Sequence, residues 1–337
     1  MAQVAAAGCV AVLFATWSSG AGVLVVREIT SAVVGTALLW IIYPFRPTIQ
    51  LVPQQAWTLF RYGSWVGGGI ALLFLSQNVD IFIAGRVIHR ASDIGFYTTS
   101  WSLAFISAGI FASVATSMVF PTLSRLQDDR ILLTEKLLRA IRLLSILILP
   151  VSALLASLAP VLIVPVLGNR YAEYESSFLV LSLLAVYAGN RTVLWIFFEG
   201  YKSIGRPWLV PAYNAVKLAV MVPAMIYGAQ HGILGLAVMY IPVQVIEIPA
   251  ALALARRFLD VSPRDVWHAT RVAMGISVLM AGVVLVAEHI SLAMLHVGST
   301  FTLLICLALG IVAYITGLAR ANRHAVVDVR SFLMRGL

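Results

Sequence analysis

Arg191 and Lys217 stand at matching distances from one connector. Arg191 lies nine residues before Gly200 and Lys217 nine residues after Trp208, and residues 200–208 join the apolar runs that carry them. On helices rising 1.5 Å per residue, each side chain is about 13 Å from the connector, near the middle of a hydrocarbon layer about 30 Å thick. An ionised group at that depth costs roughly 2.5–3.5 kcal/mol even on lenient insertion scales, so function is first sought there. Two cations at one depth on consecutive antiparallel helices suit an anion such as a phosphate, to which Arg offers paired hydrogen bonds. Arg27, beside Glu28 in the outer third of its own segment, is the third cation inside an apolar run and completes the candidate substrate-binding set.

The opposite sign is carried by Asp80, which follows Gln77-Asn78-Val79, and by Glu247, between Pro242 and Pro249, with Glu199 closer to a segment boundary. A membrane carboxylate of this kind carries a proton or sodium ion in a coupled transporter, or pairs with a cation. Arg27, Arg191 and Lys217 are matched in number by Glu28, Asp80 and Glu247, so mutual neutralisation stands as the structural alternative. Catalytic spacing is absent. The six histidines form no HExxH pair, and there is no GxSxG, phosphate-loop GKS/GKT or CxxC. Cys9 and Cys306 lie near opposite ends without metal-ligand spacing and read as small apolar residues. No cofactor is expected.

These charges are informative because of what surrounds them. Of the 337 residues, 61% are hydrophobic and 11% charged, against about 45–50% and about 25% in soluble proteins. With mean hydropathy at +0.96, there is too little polar surface to clothe a soluble fold of this size. The chain is an all-α membrane protein on this reading, and its net charge of +9 belongs to cytoplasmic loops, not to a nucleic-acid surface.

Ten apolar stretches emerge, near 2–18, 22–43, 64–85, 97–120, 144–167, 177–199, 209–227, 232–252, 270–288 and 299–319. They are continuously apolar, which favours spanning helices over barrel strands that alternate every second residue. Residues 2–18 are expected as a helix within the membrane domain, because Met1 to Val26 lacks the basic start of a signal peptide. Alternate connectors divide the remaining Lys and Arg seventeen to three, placing the richer set and both termini in the cytoplasm. Trp40, Tyr43, Trp65, Tyr97, Trp101, Trp208 and Trp267 fall near segment ends, as an interfacial aromatic belt requires. Residues 51–65 mix Trp57, Leu59 and Phe60 with Gln54, Gln55 and Arg61, the pattern of an interfacial stretch. Gly67-Gly68-Gly69, Gly189, Pro211 and Pro223 interrupt the runs, a weak sign of helices broken around a cavity.

Several stretches look familiar in order and spacing. Asn78-Val79-Asp80, Ala84-Gly85-Arg86 and Asp93-Ile94-Gly95-Phe96-Tyr97 resemble the start of the second lobe of polysaccharide flippases. Pro121-Thr122-Leu123-Ser124-Arg125-Leu126-Gln127-Asp128 is similar to that family's cytoplasmic P-x-L-S-R-L-Q-x-D stretch, and Leu38-Leu39-Trp40 followed by Pro44-Phe45-Arg46-Pro47 resembles its sixth helix and exit. The family is the O-antigen (Wzx-like) oligosaccharide flippases of the multidrug/oligosaccharidyl-lipid/polysaccharide exporter superfamily. His89 departs from it, standing where the family often has Gly.

The resemblance implies two six-helix lobes around a central cavity, often with two further helices. It also implies transport of undecaprenyl-pyrophosphate-linked sugar repeat units between leaflets of the cell inner membrane for polysaccharide or lipopolysaccharide biosynthesis. Matched this way, residues 1–43 hold the last two helices of an incomplete first lobe and 44–63 a cytoplasmic interfacial linker. Residues 64–252 hold the six-helix second lobe, and 253–337 two additional helices with a basic cytoplasmic tail. Four helices of the first lobe are absent, so the gene start lies further upstream, the gene is a remnant, or another chain supplies them. Implied partners are a polyprenyl-pyrophosphate-linked oligosaccharide and membrane lipid, with no nucleic acid. Competing readings are a drug/cation antiporter dependent on Asp80 or Glu247, an inactive truncated remnant, and a membrane glycan polymerase or ligase. Outer connectors of about a dozen residues at most argue against the last.

Overall fold

A computed structural model describes residues 8–10, 22–42, 53–167, 177–293 and 299–321. Every described element is helical. In chain order these are α1 (Gly22–Ile42), α2 (Pro53–Val87), α3 (Ala91–Val114), a π-helical turn (Ala115–Val119), α4 (Phe120–Ser124), α5 (Arg130–Leu167), α6 (Ser177–Ser203), α7 (Leu209–Ala229), α8 (Gly232–Val238), α9 (Tyr240–Leu259), α10 (Pro263–Ala293) and α11 (Ser299–Ala321). Among the described residues, eight helices are long and apolar enough to cross a membrane. A ninth crossing is formed if the run through α3 and α4, bent by 43° between residues 91–106 and 108–124, is counted as one. Nine of the ten expected stretches therefore correspond to described helices, while the first, 2–18, lies almost wholly outside the described residues.

Boundaries moved where local chemistry overrode the apolar count. Residues 53–63, expected as an interfacial linker, form the first turns of the 35-residue α2. Helix α5 begins at Arg130, well before its apolar stretch, and its 38 residues outrun the bilayer. Its leading turns carry Lys136, Arg139 and Arg142, charges that favour water over hydrocarbon at this end. The π-helical turn precedes Pro121, whose missing N–H and bulky ring disturb the preceding turn of helix. Gly232, with φ at +74°, allows the sharp turn from α7 into α8, a conformation in which a Cβ would be strained.

The chain forms two compact units, Met1–Ser64 and Trp65–Leu337, with the boundary inside α2. In the first, α1 exposes Val25, Ile29, Val33 and Trp40 along one face, as a helix facing lipid or other helices does. In the second, α6 is the most enclosed span, with α3, α5 and α9 packed against it. Close approach of α5 and α6 rests on Gly189, where a Cβ would meet Ser152 Oγ at 2.5 Å. Helix α11 is tied to α5 by Tyr314, whose hydroxyl donates to the Ile146 carbonyl at 2.6 Å.

Two apolar cores are stacked along the axis of this unit. One gathers Phe96, Leu181, Leu184, Met221 and Val243, and the other Leu137, Leu144, Phe197, Ala251 and Leu259. Along α7 the first core holds Met221 and the second Tyr213, with Lys217 between them. Along α9 Val243 belongs to the first and Ala251 to the second, with Glu247 between them. The buried charges thus occupy the seam between two apolar layers.

Candidate functional site

Lys217 and Glu247 meet across α7 and α9. The ammonium is 3.4 Å from Glu247 Oε1, with side chains only 2% and 5% exposed. Lys217 also donates to the Tyr187 hydroxyl on α6 at 2.7 Å, and the Tyr213 hydroxyl donates to Glu247 Oε1 at 3.0 Å. A buried charge is tolerated when it is paired and hydrogen-bonded, and these two tyrosines supply the bonds. Glu247 Oε2 is left buried without a hydrogen-bond partner.

Asp80 on α2 is fully buried and has a different environment. Its Oδ2 accepts hydrogen bonds from Tyr97 on α3 and Tyr240 on α9, each at 2.7 Å, while Oδ1 has no partner. Tyr240 in turn lies against Tyr187, ring centroids 4.0 Å apart. Asp80, Tyr240, Tyr187, Lys217 and Glu247 are therefore one contiguous network drawn from four helices. Tyr97, which its place near a segment end assigned to an interfacial belt, is instead completely buried on Asp80. A hydroxyl pointing into the bundle wins over the interface because a buried carboxylate needs donors.

Arg191 is half-buried on α6, one turn beyond Tyr187. Its guanidinium lies 5.6 Å from the centre of the Phe105 ring, and the residue is close enough to Tyr187 and Lys217 to interact electrostatically with both. Phe105 stacks on Trp101 and meets Tyr187 edge-on, so the cation stands on an aromatic platform. The two cations face different spaces. Lys217, Glu247 and Tyr213 line a cavity of about 460 Å³ between α7 and α9, whereas Arg191, with Gln77, Trp101 and Phe105, lines one of about 250 Å³.

Charge balance is only partly local. Arg27 pairs with Glu28 at 3.3 Å, both exposed, within the first unit. Lys217 pairs with Glu247. Arg191 and Asp80 take part in none of the ion pairs among the described residues. Neutralisation thus accounts for two of the three matched pairs and leaves one cation and one carboxylate without an ionic partner.

Two features escaped sequence reasoning. The four tyrosines of the network carry no spacing that marks them, since they come from different helices. Glu199, placed near a boundary by its position, is completely buried. Its Oε1 accepts from Thr116 in the π-helical turn at 2.9 Å and from Trp195 at 3.2 Å, and its Oε2 lies 2.6 Å from Lys202 Nζ. Trp195 and Lys202, at offsets of four and three from Glu199 on α6, were the available signal for the last two contacts.

Comparison with known proteins gives three findings. Residues 1–176 match the family described as "Polysaccharide biosynthesis protein". The chain is 24% identical over 212 residues to the lipopolysaccharide biosynthesis protein WzxC of Escherichia coli (strain K12), an alignment covering 60% of this chain and 41% of that protein. It thus spans about two-fifths of that relative. Among solved structures, the lipid II flippase MurJ in an inward closed conformation superposes with a TM-score of 0.71 at 14% identity, covering 96% of this chain and 67% of that one. At that identity the likeness concerns the fold.

Proposed function

Since the chain belongs to the polysaccharide biosynthesis protein family, we infer that it acts as a membrane transporter, not an enzyme, moving an undecaprenyl-pyrophosphate-linked oligosaccharide from the inner to the outer leaflet of the cell inner membrane. The observation that carries this is the placement of Lys217 and Arg191 on either side of Tyr187, deep in a bundle of apolar helices and facing cavities. A lipid-linked sugar presents a multivalent phosphate anion on an apolar chain, and a buried Lys217 and a half-buried Arg191 in apolar walls complement both halves. Arg191 and Lys217 bind the pyrophosphate in this reading, and Asp80 and Glu247 carry the compensating charge or a coupling ion. Arg27 has little weight here, because Glu28 at 3.3 Å already neutralises it. The seventeen-to-three distribution of connector cations supports cytoplasmic termini. The names of the relatives, a lipopolysaccharide biosynthesis protein and a lipid II flippase, support cargo of this class.

Translocation of a fluorescent polyprenyl-pyrophosphate sugar in proteoliposomes tests the reading. Arg191→Gln, and Lys217→Gln combined with Glu247→Gln to avoid a lone buried charge, abolish transport while the protein inserts normally. Native rates in both variants overturn it. The antiporter reading is favoured by one observation, the unpaired Oδ1 of buried Asp80. It requires the reverse pattern: loss on Asp80→Asn, dependence on an ion gradient, and indifference to Arg191→Gln.

A further inference from the structure

The cavity between α7 and α9 has charge at both ends. At its inner end stands the Lys217–Glu247 pair, and at its outer end Arg257, on the last turn of α9 beside Phe258. Glu247 and Arg257 are ten residues apart on one helix, about 15 Å along the axis, or roughly half the hydrocarbon thickness. The Phe258 ring is shared by two guanidiniums, that of Arg206 at 4.9 Å and that of Arg257 at 5.6 Å from its centre, with Trp208 packed edge-on at 6.4 Å. Both arginines are exposed, and neither enters an ion pair among the described residues. Each guanidinium is within 5.6 Å of that ring's centre, so an anion at the ring's edge feels both charges. Between the charged ends the wall is apolar, and Val216 and Ile246, 60% and 49% exposed, leave it open sideways.

We propose that this rim is a loading site for the phosphate of a lipid-linked substrate, with Arg206 and Arg257 gripping the phosphate and the α7–α9 groove leading it inward to Lys217. The inference rests on the transport reading given above and adds a first station to it. An ordinary phospholipid satisfies the rim alone. A substrate that carries phosphates and sugar on an apolar chain also uses the polar inner end, which a fatty acyl tail does not. Cation–aromatic clusters at a helix end favour phosphate because guanidinium offers it paired donors and is already partly stripped of water by the rings.

Native mass spectrometry of the full chain in a neutral detergent, titrated with a short-chain polyprenyl diphosphate bearing one sugar, provides the test. The native protein binds the probe, and Arg206→Gln/Arg257→Gln weakens binding about ten-fold or more. An equal concentration of phosphatidylglycerol fails to displace the probe. Unchanged binding in the double variant overturns the proposal, as does one-for-one displacement by phosphatidylglycerol, which marks a general phospholipid site. Since both arginines are exposed, their replacement leaves the unfolding temperature at its native value. A drop that matches the loss of binding assigns the rim to stability instead. Transport by Arg191→Gln separates the two levels: its loss alongside unchanged binding by Arg206→Gln/Arg257→Gln rejects the rim and keeps the transport reading. Native transport by both Arg191→Gln and Lys217→Gln/Glu247→Gln defeats the transport reading whether or not the rim binds.

Discussion

The ammonium of Lys217 sits 3.4 Å from Glu247 Oε1 at the level where two apolar cores of the second unit meet. Removing one member of such a pair strands the other charge in an apolar layer, whereas removing both with apolar groups of similar size does not. Lys217→Met and Glu247→Leu therefore each destabilise by about 3–5 kcal/mol, and the double variant regains most of that loss. Thermal unfolding in detergent reads the cycle. Transport stays absent in the refolded double variant, because the cation is gone. Additive losses would mean that the two side chains do not depend on each other.

Asp80 is held by two tyrosine hydroxyls from different helices, and hydrogen bonds to a charged group are worth about 1.5–3 kcal/mol each. Tyr97→Phe and Tyr240→Phe each cost about that much, while Asp80→Asn keeps an oxygen for the same donors and costs less. If Asp80 carries a coupling ion, Asp80→Asn keeps the fold but makes transport insensitive to an imposed ion gradient. Transport measured with and without the gradient decides this; an unaltered gradient response excludes Asp80 as the carrier.

What was legible in the sequence followed the one-dimensional signals. Continuous apolar runs gave the spans from 22–43 onward, because a helix in lipid must satisfy its own backbone and needs about 20 apolar residues to do so. Lys217 was singled out by its count from the connector and Glu247 as a carboxylate inside an apolar run. Their partnership was not legible, since Lys217 and Glu247 lie thirty residues apart and only the turn at Gly232 folds α7 back beside α9. The tyrosines were hidden for a related reason. Tyr97 near a segment end satisfies an interfacial pattern and a buried hydrogen bond equally well, and only the neighbouring Asp80 distinguishes them. Glu199 does lie near the end of its segment, but its burial was not legible, because distance from a connector measures depth in the bilayer and not enclosure by protein.

Gly189 sets the spacing of α5 and α6. A Cβ there would lie 2.5 Å from Ser152 Oγ and 2.7 Å from Ser152 Cβ, too close for either atom. Gly189→Ala costs about 1–3 kcal/mol as overpacking. Ser152→Gly restores stability in that background because both offending atoms vanish, while Ser152→Ala leaves Cβ in place and restores little. Equal rescue by both would place the strain on the hydroxyl alone. Unfolding temperatures of the three variants distinguish the cases.

Glu199 and Lys202 form a pair of unequal members, which makes their single variants unequal in an unintuitive order. Glu199 is fully enclosed, whereas the Lys202 side chain is 34% exposed. Removing the carboxylate charge by Glu199→Gln frees Lys202 to turn its ammonium to water, and the amide oxygen still accepts from Thr116 and Trp195. Removing the cation by Lys202→Met strands an enclosed carboxylate whose Oε2 has lost its nearby charge. Lys202→Met is therefore the more destabilising of the two, by about 3 kcal/mol against about 1 kcal/mol. The same logic locates the effect: amide hydrogen exchange rises in residues 115–119, since Thr116 ties that turn to Glu199. A larger loss for Glu199→Gln, or exchange unchanged in the turn while stability falls, would show that Glu199 does not anchor the π-helical turn.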